Sequence, residues 1–489
     1  MKYDVVVVGA GNAAHAAAVS ARAAGAERVL MLEKAPQELR GGNTHYSGGL
    51  FRFAFDDASE LQPLVPDVER TVPGFLDNVP PYPVAAFEAD LRRVTEDRTD
   101  PQLAEILISN SYDTVRWVRD QGIRMEAAVS LSAVEFEGEL TWPSGAVIRA
   151  AAEGVGLSRM WFNAAAERGI ELRCGTSALR LLQDQRGRIT GLMVRDSEGE
   201  QEILADAVIL GCGGFEANAE WRARYLGRPW DTAKVRGTRY NNGDGLRMAL
   251  KIGALAHGQW SGMHGTPIDA GAPPFGDRKL TDKTNRLSYP LGVTLNTAGD
   301  RFIDEGEDFA LYTYAKTGGA ILGQPGGVAF QIFDAGVSDL LEPRYGTGLP
   351  LVAETLEELA EQLPIDSERV MRTLHEFNAA APTGGNFNPT VLDGLSSTGL
   401  APEKANWTRP LETPPYRAYP ITGGITFTFG GVRIDEDAQV LSTDWRPIEG
   451  LLACGEMVGG LFHHNYPGGS GLMSGAVFGR IAGRTAANL

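Results

Sequence analysis

The stretch Gly459–Gly483, "GGLFHHNYPGGSGLMSGAVFGRIAG", concentrates groups that can act on a small molecule. Tyr466 carries a hydroxyl that can donate to an oxygen gaining charge. The run that follows, Gly469, Ser470, Gly471 and Leu472, reads as the first turn of a helix of small residues. The opening N–H groups of a helix have no partner within it, and they favour negative charge beside them. A hydroxyl next to a helix N-terminus is therefore a device for holding a carbonyl as it becomes enolate-like. His463 and His464 flank the tyrosine; one is expected to face the site and the other to be structural. A second group, Arg286, Tyr289, Tyr312, Tyr314 and Lys316, mixes cations with hydroxyls. Each alone also fits a packing or surface role, and it is the cluster of tyrosines that suggests a site.

The front of the chain, "YDVVVVGAGNAAHAAAVSARAAGAERVLMLEK", reads as strand, tight turn, helix, strand. Val5–Val8 form the continuous β-branched run of a parallel strand buried on both faces. Gly9 and Gly11 follow, with Ala14 in the third position of G-x-G-x-x-A, and residues 13–24 form an alanine-rich helix. Val29–Leu32 make the next strand, ending at Glu33. This is a dinucleotide fingerprint: missing side chains let the backbone approach a pyrophosphate at the helix N-terminus, and Glu33 accepts from ribose hydroxyls. Asn12, Ala13 and Lys34 border it. FAD and NAD share the pattern. "RGGNTHYSGGL" (40–50) then offers a second backbone approach through Gly41, Gly42, Asn43, Thr44, Ser47, Gly48 and Gly49. The remaining expected cofactor contacts are Ala178, Gly213, Gly214, Asp244, Gly455 and Glu456.

Four separated stretches carry a resemblance to a known family. "GAGNAAHAA" with Glu33, "GGNTHYSGG", "ADAVILGCGGFEAN" (205–218) and "GLLACGEMVGG" (450–460) resemble the flavoprotein subunits of fumarate reductase and succinate dehydrogenase, with 3-ketosteroid dehydrogenases as cousins. "VTLNTAGDRFIDEG" (293–306) resembles a turn of their substrate domain, with Arg301 expected to pair with Glu305. Within the family, "SYPLGVTLN", "DEGEDF…YTYAK", "GGITFTFGGVRID" and "FHHNYPGGSGL" look most like tricarballylate dehydrogenases. The resemblance implies an α/β fold: a Rossmann-like FAD-binding domain with an inserted α+β capping domain over the flavin. It implies removal of two hydrogens from neighbouring carbons, a hydride to flavin and a proton to a protein base. His264, in "GMHGTP", aligns with a family histidine that binds a substrate carboxylate, although a core histidine fits equally.

The sequence also departs from the family. No arginine stands near Phe309 or Ala310, where fumarate reductases carry their proton donor. Phe427, between Thr426 and Thr428, replaces a family histidine. Tyr466 stands where fumarate reductases place a substrate-binding arginine and ketosteroid dehydrogenases a tyrosine. Gly42 occupies the place of the covalent-attachment histidine, with His45 at another offset, so non-covalent FAD is expected. The leading expectation is an FAD-dependent desaturase of a small carboxylic acid such as tricarballylate. The alternatives are a desaturase of a cyclic ketone, including an oxocyclohexane carboxylate; a fumarate reductase-like enzyme; and a flavin-binding protein without turnover. A tyrosine-based site suits the ketone.

The elements that must position these residues divide the 489-residue chain into 1–255 and 418–489, two parts of the FAD domain, and 256–417, the cap. Residues 100–123 read as one amphipathic helix with Trp117 in the core, and 351–380 as helical. A net charge of −17 argues against nucleic-acid binding, and an anionic substrate would need a local basic pocket against that field. Cys174, Cys212 and Cys454 are too far apart in sequence for a cluster or haem motif, and no metal site is expected. No second dinucleotide motif is present, so the electron acceptor is left open. With no membrane span and a short opening apolar run, a cytoplasmic location is expected.

Overall fold

The computed structural model describes residues 2–489. The β-branched run at the front forms β1 (Lys2–Val8), and the alanine-rich segment forms α1 (Asn12–Ala23). They are followed by β2 (Val29–Glu33), β3 (Glu171–Cys174), β4 (Ser177–Gln183), β5 (Ile189–Asp196) and β6 (Gly199–Leu210). β1 pairs in parallel with β6 on one side and β2 on the other, and β2 continues to β3. β4 and β5 fold back on β6 as an antiparallel meander. Val5, Val6 and Val7 are wholly buried, as a strand covered on both faces requires.

Residues 100–123 form two helices, α2 (Pro101–Ser109) and α3 (Ser111–Asp120), rather than the single expected one. Asp100 caps α2 through the N–H groups of Gln102 and Leu103, both at 3.1 Å. At the break, the buried Ser111 hydroxyl donates to Ile108 O and accepts from Ala54 N–H, a tertiary bond that no helical period encodes. Trp117 packs beside Trp161, with ring centroids 6.1 Å apart. α4 (Asp244–Lys251) follows the glycine-rich turn as expected.

A second sheet of six strands stands over the first: β7 (Lys234–Val235), β8 (Met263–Asp269), β9 (Val293–Asn296), β10 (Val328–Phe333), β11 (Leu351–Ala353) and β12 (Tyr416–Thr428). β12 is its spine, pairing with β7, β8, β10 and β11. The sheet therefore takes strands from both sides of the positions 255/256 and 417/418. α5 (Ala310–Leu322) packs on it, and α6 (Leu356–Gln362) and α7 (Ser367–Ala380), which follow β11, share a buried core with β9, β10 and β12. Arg301 pairs with the fully buried Glu305, Nε to Oε1 at 3.2 Å.

The last segment returns to the first sheet. β13 (Gln439–Leu441) pairs with β14 (Pro447–Ala453), which joins β6 in parallel. α8 (Ser470–Ala486) lies directly against α1. A Cβ at Gly479 would stand 2.5 Å from Ala13 O, and one at Gly483 2.1 Å from Ala17 O, so the two backbones touch through these glycines. Among the described residues, no helix is long and apolar enough to cross a membrane.

Candidate active site

A single long groove runs from the tip of β2, past the starts of α1 and α8, to the underside of the second sheet. At its far end, Glu33 is buried, and its Oε1 accepts from Ala35 N–H at 2.8 Å. The backbone N–H groups of Gly41 and Lys34 also favour its charged form. Burial pushes this carboxyl up, which a hydroxyl-bearing ligand would reverse by supplying donors. Lys34 and Asp244 pair beside it at 2.6 Å.

The middle of the groove lies between two helix starts. Gly9 has φ +113°, and a Cβ there would strike Gly211 O at 2.4 Å, so only glycine makes this turn. A Cβ on Gly11 would meet only the Thr44 hydroxyl, at 3.3 Å, which leaves an open floor where the backbone is bare. Asn12 ties the region together: its amide donates to Leu472 O at 2.8 Å and accepts from Trp161 Nε1 at 2.9 Å. α8 begins after Gly469, at φ +89°, and Gly471 and Leu472 face the groove.

Beneath lies a buried acid pair. Glu216 Oε1 accepts from Asn43 at 2.7 Å and Asn241 at 2.6 Å, and Glu456 Oε1 accepts from Thr428 N–H at 2.7 Å. Burial raises both carboxyls, and Glu456 repels charge on Glu216, so the pair favours a neutral acid.

Beside the near end stands an aromatic cluster: Tyr466, Phe427 and Phe462 line the groove, and Tyr314 and His264 pack behind them. The Tyr314 and Tyr466 hydroxyls lie 2.5 Å apart, joining α5 to the loop before α8. His264, fully buried, stacks on Phe427 at 5.1 Å and meets Tyr314 and Tyr466 edge-on at 4.7 and 4.9 Å. Among the described residues, neither of its ring nitrogens has a partner. Burial, helped by the Arg236 charge, holds its pKa well below the usual value, so the ring is neutral. Burial holds Tyr466 above, and Tyr314 well above, the usual tyrosine range, Tyr314 also through its hydroxyl neighbour.

The structure thus brings Tyr466, Tyr314 and His264 together, and leaves the other expected catalytic residues elsewhere. His464 is on the surface, with Nε2 3.5 Å from Glu96. Arg286 is wholly buried but pairs with Asp269 at 2.7 Å and donates to backbone carbonyls, which makes it a strut of the cap. Tyr289 bonds the Thr313 hydroxyl away from the groove. Tyr312 reaches Asp90 at 2.6 Å, and Lys316 pairs with Glu307 at the surface.

Of the expected cofactor contacts, Gly9, Gly11, Asn12, Ala13, Glu33, Lys34, Gly42, Asn43, Thr44, Ser47, Ala178, Gly213, Asp244, Gly455, Glu456, Gly471 and Leu472 line the groove. Gly41, Gly48, Gly49, Gly214, Gly469 and Ser470 do not. Their role is fit: a Cβ would stand 2.8 Å from Leu131 at Gly48, 3.0 Å from the Glu153 backbone at Gly49 and 2.2 Å from Glu456 at Gly214. Reading the sequence missed Arg236, Asn241 and Phe462, which also line the groove. Arg236, in "KVRGTRY", has no local sequence signal; its place beside β12 brings it to the site.

Residues 4–472 match the family described as FAD binding domain. The chain belongs to the fumarate reductase and succinate dehydrogenase family of flavoproteins. It is 29% identical over 494 residues to a fumarate reductase (cytochrome) of Shewanella frigidimarina, covering 99% of this chain and 77% of that protein. It is also 29% identical over 556 residues to a 4-oxocyclohexanecarboxylate 2-dehydrogenase of Sinomonas cyclohexanicum, covering 99% and 93%. The crystal structure of 3-ketosteroid Δ1-dehydrogenase from Sterolibacterium denitrificans superposes with a TM-score of 0.75 at 21% identity, covering 100% and 99%, and shows the shared fold. None of these three is a tricarballylate dehydrogenase. This flavoprotein is an FAD-dependent oxidoreductase acting on CH–CH groups. The groove suits the cofactor: bare backbone at Gly11, two helix starts and the buried Glu33 at the tip of β2 answer a pyrophosphate and a ribose.

Proposed function

We propose that this flavoprotein desaturates a small cyclic ketone, forming a carbon–carbon double bond next to the carbonyl. The observation that carries this reading is the Tyr314–Tyr466 hydroxyl pair inside an otherwise apolar cluster. Bound FAD would supply the two-electron acceptor, taking a hydride from the carbon β to the carbonyl. Tyr466 donates its hydroxyl to the carbonyl oxygen, and the free N–H groups at the start of α8 favour the enolate-like charge. The α-proton is acidified in turn and passes to the Tyr314 oxygen, which first gives its own hydroxyl proton to solvent and so acts as a tyrosinate base. The neutral His264 backs the two tyrosine rings, its buried ring nitrogens having no partner among the described residues. Phe427, Phe462 and the tyrosine rings keep water out.

Similarity to a 4-oxocyclohexanecarboxylate dehydrogenase supports the ketone. The tricarballylate reading has less support, since three carboxylates would share a single groove-lining arginine. FAD is read as non-covalent, because Gly42 has no side chain to bond it and His45 does not line the groove.

Anaerobic loss of the flavin's visible absorbance tests the proposal. 4-Oxocyclohexanecarboxylate or cyclohexanone should bleach it, and succinate and tricarballylate should not. Bleaching by the saturated acids alone would overturn the ketone reading.

A further inference from the structure

The sequence demanded a local cation for any anionic substrate, because the chain carries a net charge of −17. Arg236 is the guanidinium on the groove wall at the near end. Two of its three nitrogens are committed. Nε donates to Thr426 Oγ1 at 3.0 Å, and Nη1 donates to Asp282 Oδ1 at 2.6 Å and Tyr46 O at 3.2 Å. Among the described residues, Nη2 has no hydrogen-bond partner, although the side chain is 92% shielded from solvent. The residue is fixed on one edge and free on the other.

The charge on Arg236 is not cancelled by Asp282. Arg344 takes the other oxygen of that carboxylate at 2.6 Å, so one acid serves two guanidinium groups. Arg344 also reaches Glu342 at 3.1 Å. Burial pushes the Glu342 carboxyl up, so it offsets the positive character of Arg236 and Arg344 less than an exposed carboxylate would. That character reaches the aromatic cluster: the Arg236 charge acts on His264, Tyr314 and Tyr466 alike.

We propose that Arg236 is the carboxylate subsite of the substrate pocket, its free Nη2 receiving an acid group on the ring whose ketone accepts from the Tyr466 hydroxyl. This rests on the ketone reading above and deepens it: the substrate is a cyclic keto acid, with the carbonyl held by the Tyr466 hydroxyl and the carboxylate by a preset cation. A guanidinium already fixed by Thr426, Tyr46 and Asp282 loses little freedom on binding, and a charge-assisted bond in a dry site is strong. The same cation sets the ring's position, and so selects which α-carbon faces Tyr314.

The test is equilibrium binding to the FAD-loaded enzyme, read as perturbation of the flavin's visible bands. The probes are cyclohexanecarboxylate, which has the acid but no ketone, and cyclohexanone, which has the ketone but no acid. For Arg236→Gln, the preference for cyclohexanecarboxylate over cyclohexanone should fall by roughly a hundredfold, the scale of one charged hydrogen bond. Arg236→Lys, which keeps the charge and the Asp282 pairing but loses the fork, should recover part of it. FAD content and flavin midpoint potential should match wild type. Equal loss for both probes, unchanged preference, a shifted potential with equal losses, or loss of carboxylate affinity in His264→Asn but not in Arg236→Gln would overturn the assignment. Binding needs no turnover, so the titration stays readable if no ketone bleaches the flavin. Conversely, a flat Arg236 series would not touch the bleaching result.

Discussion

Tyr466 and Tyr314 show how little chemistry a single residue carries until its neighbour is known. Tyr466 was legible from its loop and the glycines after it. Tyr314 was one of several cap candidates, and only the 2.5 Å hydroxyl contact separates it from Tyr289 and Tyr312, which bond elsewhere. The two roles predict different variants. Tyr466→Phe removes the carbonyl donor but keeps the ring, so FAD content should survive while flavin reduction by ketone slows by roughly a hundredfold or more, the scale of losing one oxyanion donor. Tyr314 must lose its proton to act as a base, and its pKa lies well above 10. Its ionised fraction therefore grows with pH throughout the neutral and alkaline range. Flavin reduction in stopped-flow should accelerate from pH 7 to pH 10 without a plateau, and Tyr314→Phe should flatten that rise. A plateau near pH 7 would assign the base to another group.

At the scale of elements, the fingerprint helix and the last helix form one unit. The glycines on their two faces do different work. Gly11 borders open space, whereas Gly479 sits 2.5 Å from the Ala13 carbonyl if given a Cβ. Gly11→Leu should therefore lose FAD, measured in the supernatant after acid precipitation, while its apoprotein melts near the wild-type apoprotein. Gly479→Leu should lower the melting temperature of the apoprotein itself, because α1 and α8 must part. Identical behaviour of the two variants would mean that the groove floor is only packing. β1, α1, β2 and the start of α8 were readable because a buried parallel strand and a glycine turn have strong local signatures. The break at Asn110 and the spine role of β12 were not. The first depends on Ala54 reaching Ser111, and the second on which distant strands select its edges. Arg236 was missed for the same reason, since its partners Asp282 and Tyr46 lie 46 and 190 residues away.

Across the whole molecule, the balance of buried titratable groups sets how the fold responds to acid. His15 lies inside the seam of α1, with its ring stacked near Trp161 and Nδ1 3.0 Å from Gly11 O. The carbonyl accepts, so Nδ1 carries the hydrogen and Nε2 is bare and unpartnered. Burial lowers this histidine to about 4 from an ordinary 6.5. A folded pKa below the unfolded one means that protons bind the unfolded chain first. Its contribution is complete above pH 6.5 and is lost as pH falls from 6.5 toward 4, reaching roughly 3 kcal/mol at full loss. Glu33, Glu216 and Glu456 act in the opposite sense, because their folded forms hold protons more tightly. Those carboxyls are common to wild type and a His15 variant, so the difference between the two isolates the histidine. His15→Gln should be less stable than wild type at pH 7.5, where a packed ring has been lost. Its melting temperature should fall less than that of wild type between pH 7 and pH 5, narrowing the gap by several degrees. Parallel curves would show that His15 is protonated as readily in the folded protein as in the unfolded chain and that its pocket against Trp161 and Phe162 admits a charge.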